Sequence, residues 1–299
     1  MSEKETRVNI PERAVATDLE EFMSMGGLVT MNGGLGEVQV MDYMGNDMSI
    51  VEAARVSVGG ENVAPQLSDH NLLRYLMRHR HTSPFEMCEI KFRVRCPMFV
   101  ARQWVRHRTA NWNEISARYS ELPNEFYIPP AARFQYQSTD NKQGSGGQLD
   151  QNEASDMRLD FEKSADESRL LYDGLLEHGL AREVARNVLP VSQMTEFVWK
   201  MDLHNLLHFL KLRTHPHAQL EIRTFANAIL SICELWVPAT VSAWVEYQQH
   251  AFLFSSSALR ALGELVNTIE FGLAMKRQGC SNREIRETIE AIRLDPETS

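Results

Sequence analysis

Residues 89–96 read Glu-Ile-Lys-Phe-Arg-Val-Arg-Cys, EIKFRVRC. Ile90, Phe92, Val94 and Cys96 alternate with Lys91, Arg93 and Arg95, which predicts a strand with one apolar and one cationic face. Pro97 has no N–H to donate and closes that strand. Residues 37–44, EVQVMDYM, predict a second strand with Val38 and Val40 on one face. The other periodic segments are helical in spacing. Ser49 is read as the cap of a short helix, with Glu52 three residues on. Further helices are expected over His70–His79, Phe99–Arg106, Ser155–Gly179, Ala181–Leu189, Thr195–Leu212, Leu220–Trp236 and Leu259–Leu294. The expected fold class is α/β (α+β), helix-rich, with a central, mainly antiparallel sheet.

Composition divides the chain. Residues 1–36 lack a sustained period and end in NGGLG, which marks an N-terminal extension. Residues 37–254 are read as a single catalytic domain, and residues 255–299, opening with three serines, as a helical C-terminal tail. Arg133–Asn152 is polar with Gly144, Gly146 and Gly147 close together, and predicts a mobile insertion loop. At 43% hydrophobic and 24% charged residues, the composition is that of a globular protein. No apolar run reaches the ~18 residues of a membrane span. The N-terminus lacks the apolar core of a secretory signal, so a cytoplasmic location is expected. Cys88, Cys96, Cys233 and Cys280 form no CxxC pair and are read as reduced thiols, with Cys96 and Cys233 in the core.

A net charge of -9 argues against a dedicated nucleic-acid binder. Yet Arg74–Arg118 holds ten lysines or arginines against three glutamates. A basic island in an acidic chain suits a small anion such as a phosphate ester. The plainer alternative is a solvated basic face. The densest part is residues 103–119, QWVRHRTANWNEISARY. Arginine forks donate paired hydrogen bonds to phosphate oxygens. Asn113, Glu114 and Ser116 add directional contacts for a ribose, a base or a flavin ring. The alternative there is a salt-bridged helix end, with Glu114 pairing an arginine.

RHRTANWNEIS (106–116) fits the pattern Arg-His-Arg, seven residues, Ser, and ARYSELPNEFYIP follows it. EAARVS (52–57), HTSPFEM (81–87), REVARNVLP (182–190) and HFLKLRTHPHAQLEI (208–222) stand in order around it. On these motifs the chain resembles the flavin-dependent thymidylate synthases over about residues 37–250. The resemblance implies methylation of dUMP to dTMP with 5,10-methylenetetrahydrofolate as one-carbon donor, FAD as hydride carrier and NADPH as reductant. It implies a homotetramer with FAD sites at subunit contacts. It assigns FAD contacts to Ser83, Arg106, His107, Arg108, Glu114, Asp202, His204 and His208, with Ser57 and Glu86 nearby. It assigns dUMP contacts to Gln103, Arg106, Glu114, Ile115, Ser116, Ala117, Arg118, Arg186 and Arg213, and His81 to the folate or the flavin ring. Arg213 is the catalytic residue it sets against the uracil. Several members carry Asn at the positions of Asp202 and His208, Arg at that of His204, and Gly at that of Ala117.

Residue chemistry agrees with this. Uracil is a poor carbon nucleophile until electron density reaches its 5-carbon, which a cysteine attacking the 6-carbon can achieve. No cysteine stands among the polar motifs, so a cofactor route is expected, with the protein as positioning frame. An arginine such as Arg213 can stabilise the ionised ring; the alternative for it is a structural pair with Glu221. Ser116 has no His-Asp pair beside it in sequence and is read as a substrate-binding hydroxyl. His204 and His208, spaced i,i+4, and the pairs His79/His81 and His215/His217 have spacings that hold zinc. HNLLH lacks the glutamate of HExxH, and no metal is expected. Trp104, Trp112 and Tyr119 beside Arg106 and Arg108 could form a stacking surface for nucleic acid. No recognition pattern for RNA or DNA accompanies them, and no nucleic-acid or membrane partner is expected.

Overall fold

The computed structural model describes residues 13–57, 68–139, 142 and 144–293. The chain forms two units, residues 1–249 and 250–299. In the first, α1 (Thr17–Ser24), β1 (Leu28–Met31), β2 (Gly36–Met44), α2 (Asp47–Val56), α3 (Asp69–Arg78), α4 (Ser83–Glu86), β3 (Glu89–Pro97), α5 (Met98–Trp104) and β4 (Asn111–Glu114) come first. Then follow β5 (Gln135–Gln137), β6 (Ser145–Gln148), α6 (Gln151–Glu177), α7 (Arg182–Ala185), β7 (Met194–Asp202), α8 (Leu203–Arg213), α9 (Leu220–Trp236) and α10 (Pro238–Trp244). The second unit holds α11 (Ser256–Leu265), α12 (Thr268–Arg277) and α13 (Asn282–Arg293). Among the described residues no helix is long and apolar enough to cross a membrane.

The main sheet runs β1-β2-β3-β7-β4, with every pair antiparallel. β3 matches its reading: Ile90, Phe92, Val94 and Cys96 are buried. On its other face Lys91 meets Asp42 at 3.6 Å, Arg93 meets Glu196 at 2.8 Å, and Arg95 pairs with Glu125. That part of the basic island is therefore a salt-bridged face and not an anion site.

Thr195–Asp202 is a strand, not the first half of a helix. Thr195, Phe197, Trp199 and Met201 are buried in alternation, and Trp199 stands opposite Phe92 in β3. The apolar run through residue 212 hid this boundary, because short apolar runs fit strand and helix alike. The boundary itself is Asp202, whose Oδ1 accepts the Asn205 N–H at 2.9 Å and caps α8.

Three smaller readings also change. Asn46, not Ser49, caps α2: its Oδ1 accepts the N–H groups of Met48 and Ser49, and Ser49 Oγ accepts the Asn46 N–H in return. The segment read as an extension supplies α1 and the sheet strand β1 in its described part. Gly36 joins β1 to β2 at φ 131°, where a Cβ would fall 1.9 Å from the Arg95 carbonyl oxygen. Arg133–Asn152 was expected to be a loop, but it contains the antiparallel pair β5–β6. At the tail, the Ser255 hydroxyl caps α11 by accepting the Ala258 N–H at 3.3 Å.

The core between sheet and helices is aromatic. Trp104 is fully buried, with its ring centroid 5.1–5.6 Å from those of Phe197, Trp199, Phe209 and Phe225. α5, β7, α8 and α9 thus converge on one side chain, directly after Gln103 and before Arg106.

Candidate active site

Trp104 anchors the end of α5, and the chain then leaves as a turn. Arg106 and Arg108 are exposed there, and His107 is half-buried. The last turn of α8 brings in Arg213. Its Nε donates to His107 Nε2 at 3.0 Å and its Nη2 to the Gln103 carbonyl at 3.3 Å. The His107 ring meets Phe209 edge-on at 4.9 Å and lies 6.2 Å from the His208 ring. Gln103 in turn donates to Gln219, the residue before α9. Gln103, His107, His208 and Arg213 are thus gathered in one place, drawing on residues assigned in the sequence reading to FAD and to dUMP. Arg213 is not paired with Glu221, which is buried and bound by Arg133 Nε at 2.7 Å and Nη2 at 3.3 Å.

His107 must accept from Arg213, so its proton sits on Nδ1 and the ring is neutral. Burial, with the charges of Arg213, His208 and Arg106 around it, pushes its pKa down to about 4. In the flavin-free chain the His107 ring should therefore titrate near pH 4 by NMR, not near the ordinary 6.5. A midpoint near 6.5 would show that the Arg213 contact does not form. Below pH 6.5 the unfolded chain takes up a proton that the folded one refuses, so this contribution to stability is lost as pH falls from 6.5 towards 4.

A second group surrounds β4, which pairs with β7 so that Trp112 faces Trp199 and Glu114 faces Phe197. The Trp112 ring stacks on Phe197 with centroids 3.5 Å apart. Among the described residues Glu114 is not paired with an arginine. Its Oε2 accepts from Trp112 Nε1 at 3.2 Å and its Oε1 from Thr195 Oγ1 at 2.6 Å. Ile115 is exposed and Ala117 buried. Ser116 Oγ accepts the Arg118 N–H at 3.3 Å. Arg118 reaches Glu183 of α7 at 3.5 Å, and exposed Arg186 opens the 3-10 turn that follows α7.

A third group lies at α4. His81, Ser83 and Glu86 are exposed, while Phe85 is buried. Phe85 shares a cavity of about 90 Å³ with His204, His208 and Lys211 of α8. Asp202 is engaged as the α8 cap, and Ser57 ends α2. Among the described residues, no three of His, Cys, Asp and Glu gather as a metal site requires.

No side-chain hydrogen bond or ion pair joins the first group to the second among the described residues. Four residues of strand, roughly 13 Å, run between the turn and Glu114. Two residues of these groups escaped the reading. Thr195 was hidden by its assignment to a helix, and Gln219 lay in a quoted motif without a role. A larger cavity of about 730 Å³, walled by Phe99, Tyr127, Phe134 and Phe161, touches this surface only at Gln219.

Residues 39–239 match the family described as Thymidylate synthase complementing protein. The flavin-dependent thymidylate synthase of Ehrlichia ruminantium (strain Gardel) is 45% identical over 284 residues, spanning 95% of this chain and 93% of that one. The chain belongs to the flavin-dependent thymidylate synthases. Another flavin-dependent thymidylate synthase, from Thermus thermophilus, is 49% identical over 86% of this chain and 93% of its own. Among solved structures, a UMP/dUMP methylase PolB from Streptomyces cacaoi bound with 5-Br dUMP matches with a TM-score of 0.64 and 35% identity. That match covers 71% of this chain and 95% of the methylase.

Proposed function

We propose that this chain methylates dUMP to dTMP, with 5,10-methylenetetrahydrofolate as one-carbon donor, FAD as hydride carrier and NADPH as the flavin's reductant. The observation that carries this reading is Arg213, held by His107 and Gln103 with the charge of Arg106 close by. Arg106 and Arg108 form no ion pair among the described residues, and such unneutralised forks fit a pyrophosphate. They would hold FAD together with Ser83, His107, Glu114, His204 and His208. FAD, when bound, supplies the hydride. Gln103, Arg106, Glu114 to Arg118 and Arg186 would hold dUMP, Arg213 would face its uracil, and His81 would meet the folate or the flavin ring. Because the first two groups stand apart in one chain, neighbouring copies in a homotetramer would complete each site.

The three buried thiols are poorly suited to attack the uracil. Burial raises the pKa of Cys88 to about 12, and it also raises those of Cys96 and Cys233, so these thiols stay protonated. Four free cysteines also suit a reducing, cytoplasmic compartment. The test is the absorption spectrum of the purified protein and dTMP formation by a variant with all four cysteines changed to Ser or Ala. A flavin band and retained activity are expected. A colourless protein that FAD cannot reconstitute overturns the flavin reading. Activity lost with a single cysteine, flavin intact, overturns the mechanism.

A further inference from the structure

We infer that Thr195 is a positioning residue for this site, its hydroxyl fixing one oxygen of Glu114 while the Trp112 indole fixes the other. The inference rests on the proposal that Glu114 touches FAD and dUMP. Thr195 is 2% exposed, stands opposite Cys96 in the sheet, and is stiff about χ1 as a β-branched residue in a strand. A hydroxyl is costly to bury without a partner, and a valine would suit the strand equally well. Its Oγ1 lies 2.6 Å from Glu114 Oε1, a charge-assisted bond of the shorter, stronger kind. On the other side, Trp112 is immobilised by its stack on Phe197 and donates to Oε2.

Glu114 is itself exposed at the end of β4, where a side chain with three torsions would otherwise sweep through several positions. Two donors, one on each oxygen, fix the plane of the carboxylate. Each oxygen keeps a further lone pair for a ligand. A site fixed in advance binds and orients without reordering its own groups. The sheet register delivers this arrangement, because β4 lies against β7 and the Thr195 hydroxyl reaches Glu114 from β7.

The experiment compares Thr195→Val, Thr195→Ser and Thr195→Ala, alone and combined with Glu114→Ala. It reads the FAD dissociation constant, dUMP affinity, kcat/KM and the melting temperature. Losing a hydrogen bond to a charged group corresponds to about a ten- to hundredfold effect. Thr195→Val and Thr195→Ala should weaken FAD or dUMP binding and lower kcat/KM by that order, and Thr195→Ser should restore most of it. The Thr195→Val effect should vanish in the Glu114→Ala background, because the two residues act as one unit. If Thr195→Val does not fold, the Ser and Ala variants still decide, since both lack the methyl and differ in the hydroxyl. Equal losses in Ser and Ala, or a wild-type Thr195→Val beside an impaired Glu114→Ala, overturn the inference. A Glu114→Ala variant that binds FAD and dUMP normally overturns the Glu114 assignment and the inference with it.

Discussion

Arg213→Ala should lower dUMP turnover by roughly a thousandfold with FAD still bound. A cation about 4 Å from an ionised uracil stabilises it by roughly 4 kcal/mol at an effective dielectric near 20. If that attraction is realised only as the ring charge develops, it appears almost wholly in kcat. The arginine is well placed for this. Nε is taken up by His107 and Nη2 by the Gln103 carbonyl, which leaves Nη1 without a protein partner among the described residues. A neutral His107 holds the guanidinium without cancelling its charge. Arg213→Lys keeps a charge but loses the planar fork whose separate nitrogens reach His107 and Gln103, so rescue should be partial. The comparison is of dUMP affinity and turnover in both variants, with flavin content measured alongside. Wild-type turnover in both, or loss of dUMP affinity alone, would remove Arg213 from the activating role.

Trp104→Ala should destabilise the protein by about 3–5 kcal/mol, the usual range for emptying a large buried aromatic site. Four elements meet on this ring, so its loss leaves no single neighbour able to fill the space. The measurement is the urea midpoint, at matched protein and FAD concentrations because bound ligand raises apparent stability. Trp104→Phe should cost less than half as much. It keeps ring contact and removes an indole N–H that has no partner among the described residues. In Trp104→Ala the turn carrying Arg106 and Arg108 also loses its anchor, so FAD retention should weaken even where the chain stays folded. A loss below about 1 kcal/mol would mean that the core collapses around the gap far better than aromatic cores do.

Where one face of an element was buried and the other wet, its sequence was plain. β3 alternates cleanly, and α9 was found with its ends in place because its apolar stripe runs between Gln219 and Val237. β7 was not legible: TEFVWKMD runs straight into LHNLLHFLKL, and only pairing with β3 separates them. β4 was missed because NWNE is polar and lies at the sheet's edge, where exposed residues carry no period. The site was half legible in the same sense. The Arg-His-Arg run suggests an anion site by its residue types alone, and Arg106 and Arg108 are exposed without an ion pair among the described residues. That His107 serves Arg213, a partner 106 residues away, is a matter of α5 and α8 ending side by side. The basic island misled in part, since the cations of β3 had carboxylates waiting on β2, on β7 and at Glu125.

The sheet's two outer members, β1 and β4, are four residues each, against nine for each of the three between them. An open sheet edge is a template on which another chain can add a strand, and proteins commonly keep such edges short. Here neither flank has room for more than a brief ladder. A sheet continued from one copy into the next would therefore rest on four-residue ladders at most. Runaway cross-β growth finds little to start from on such flanks.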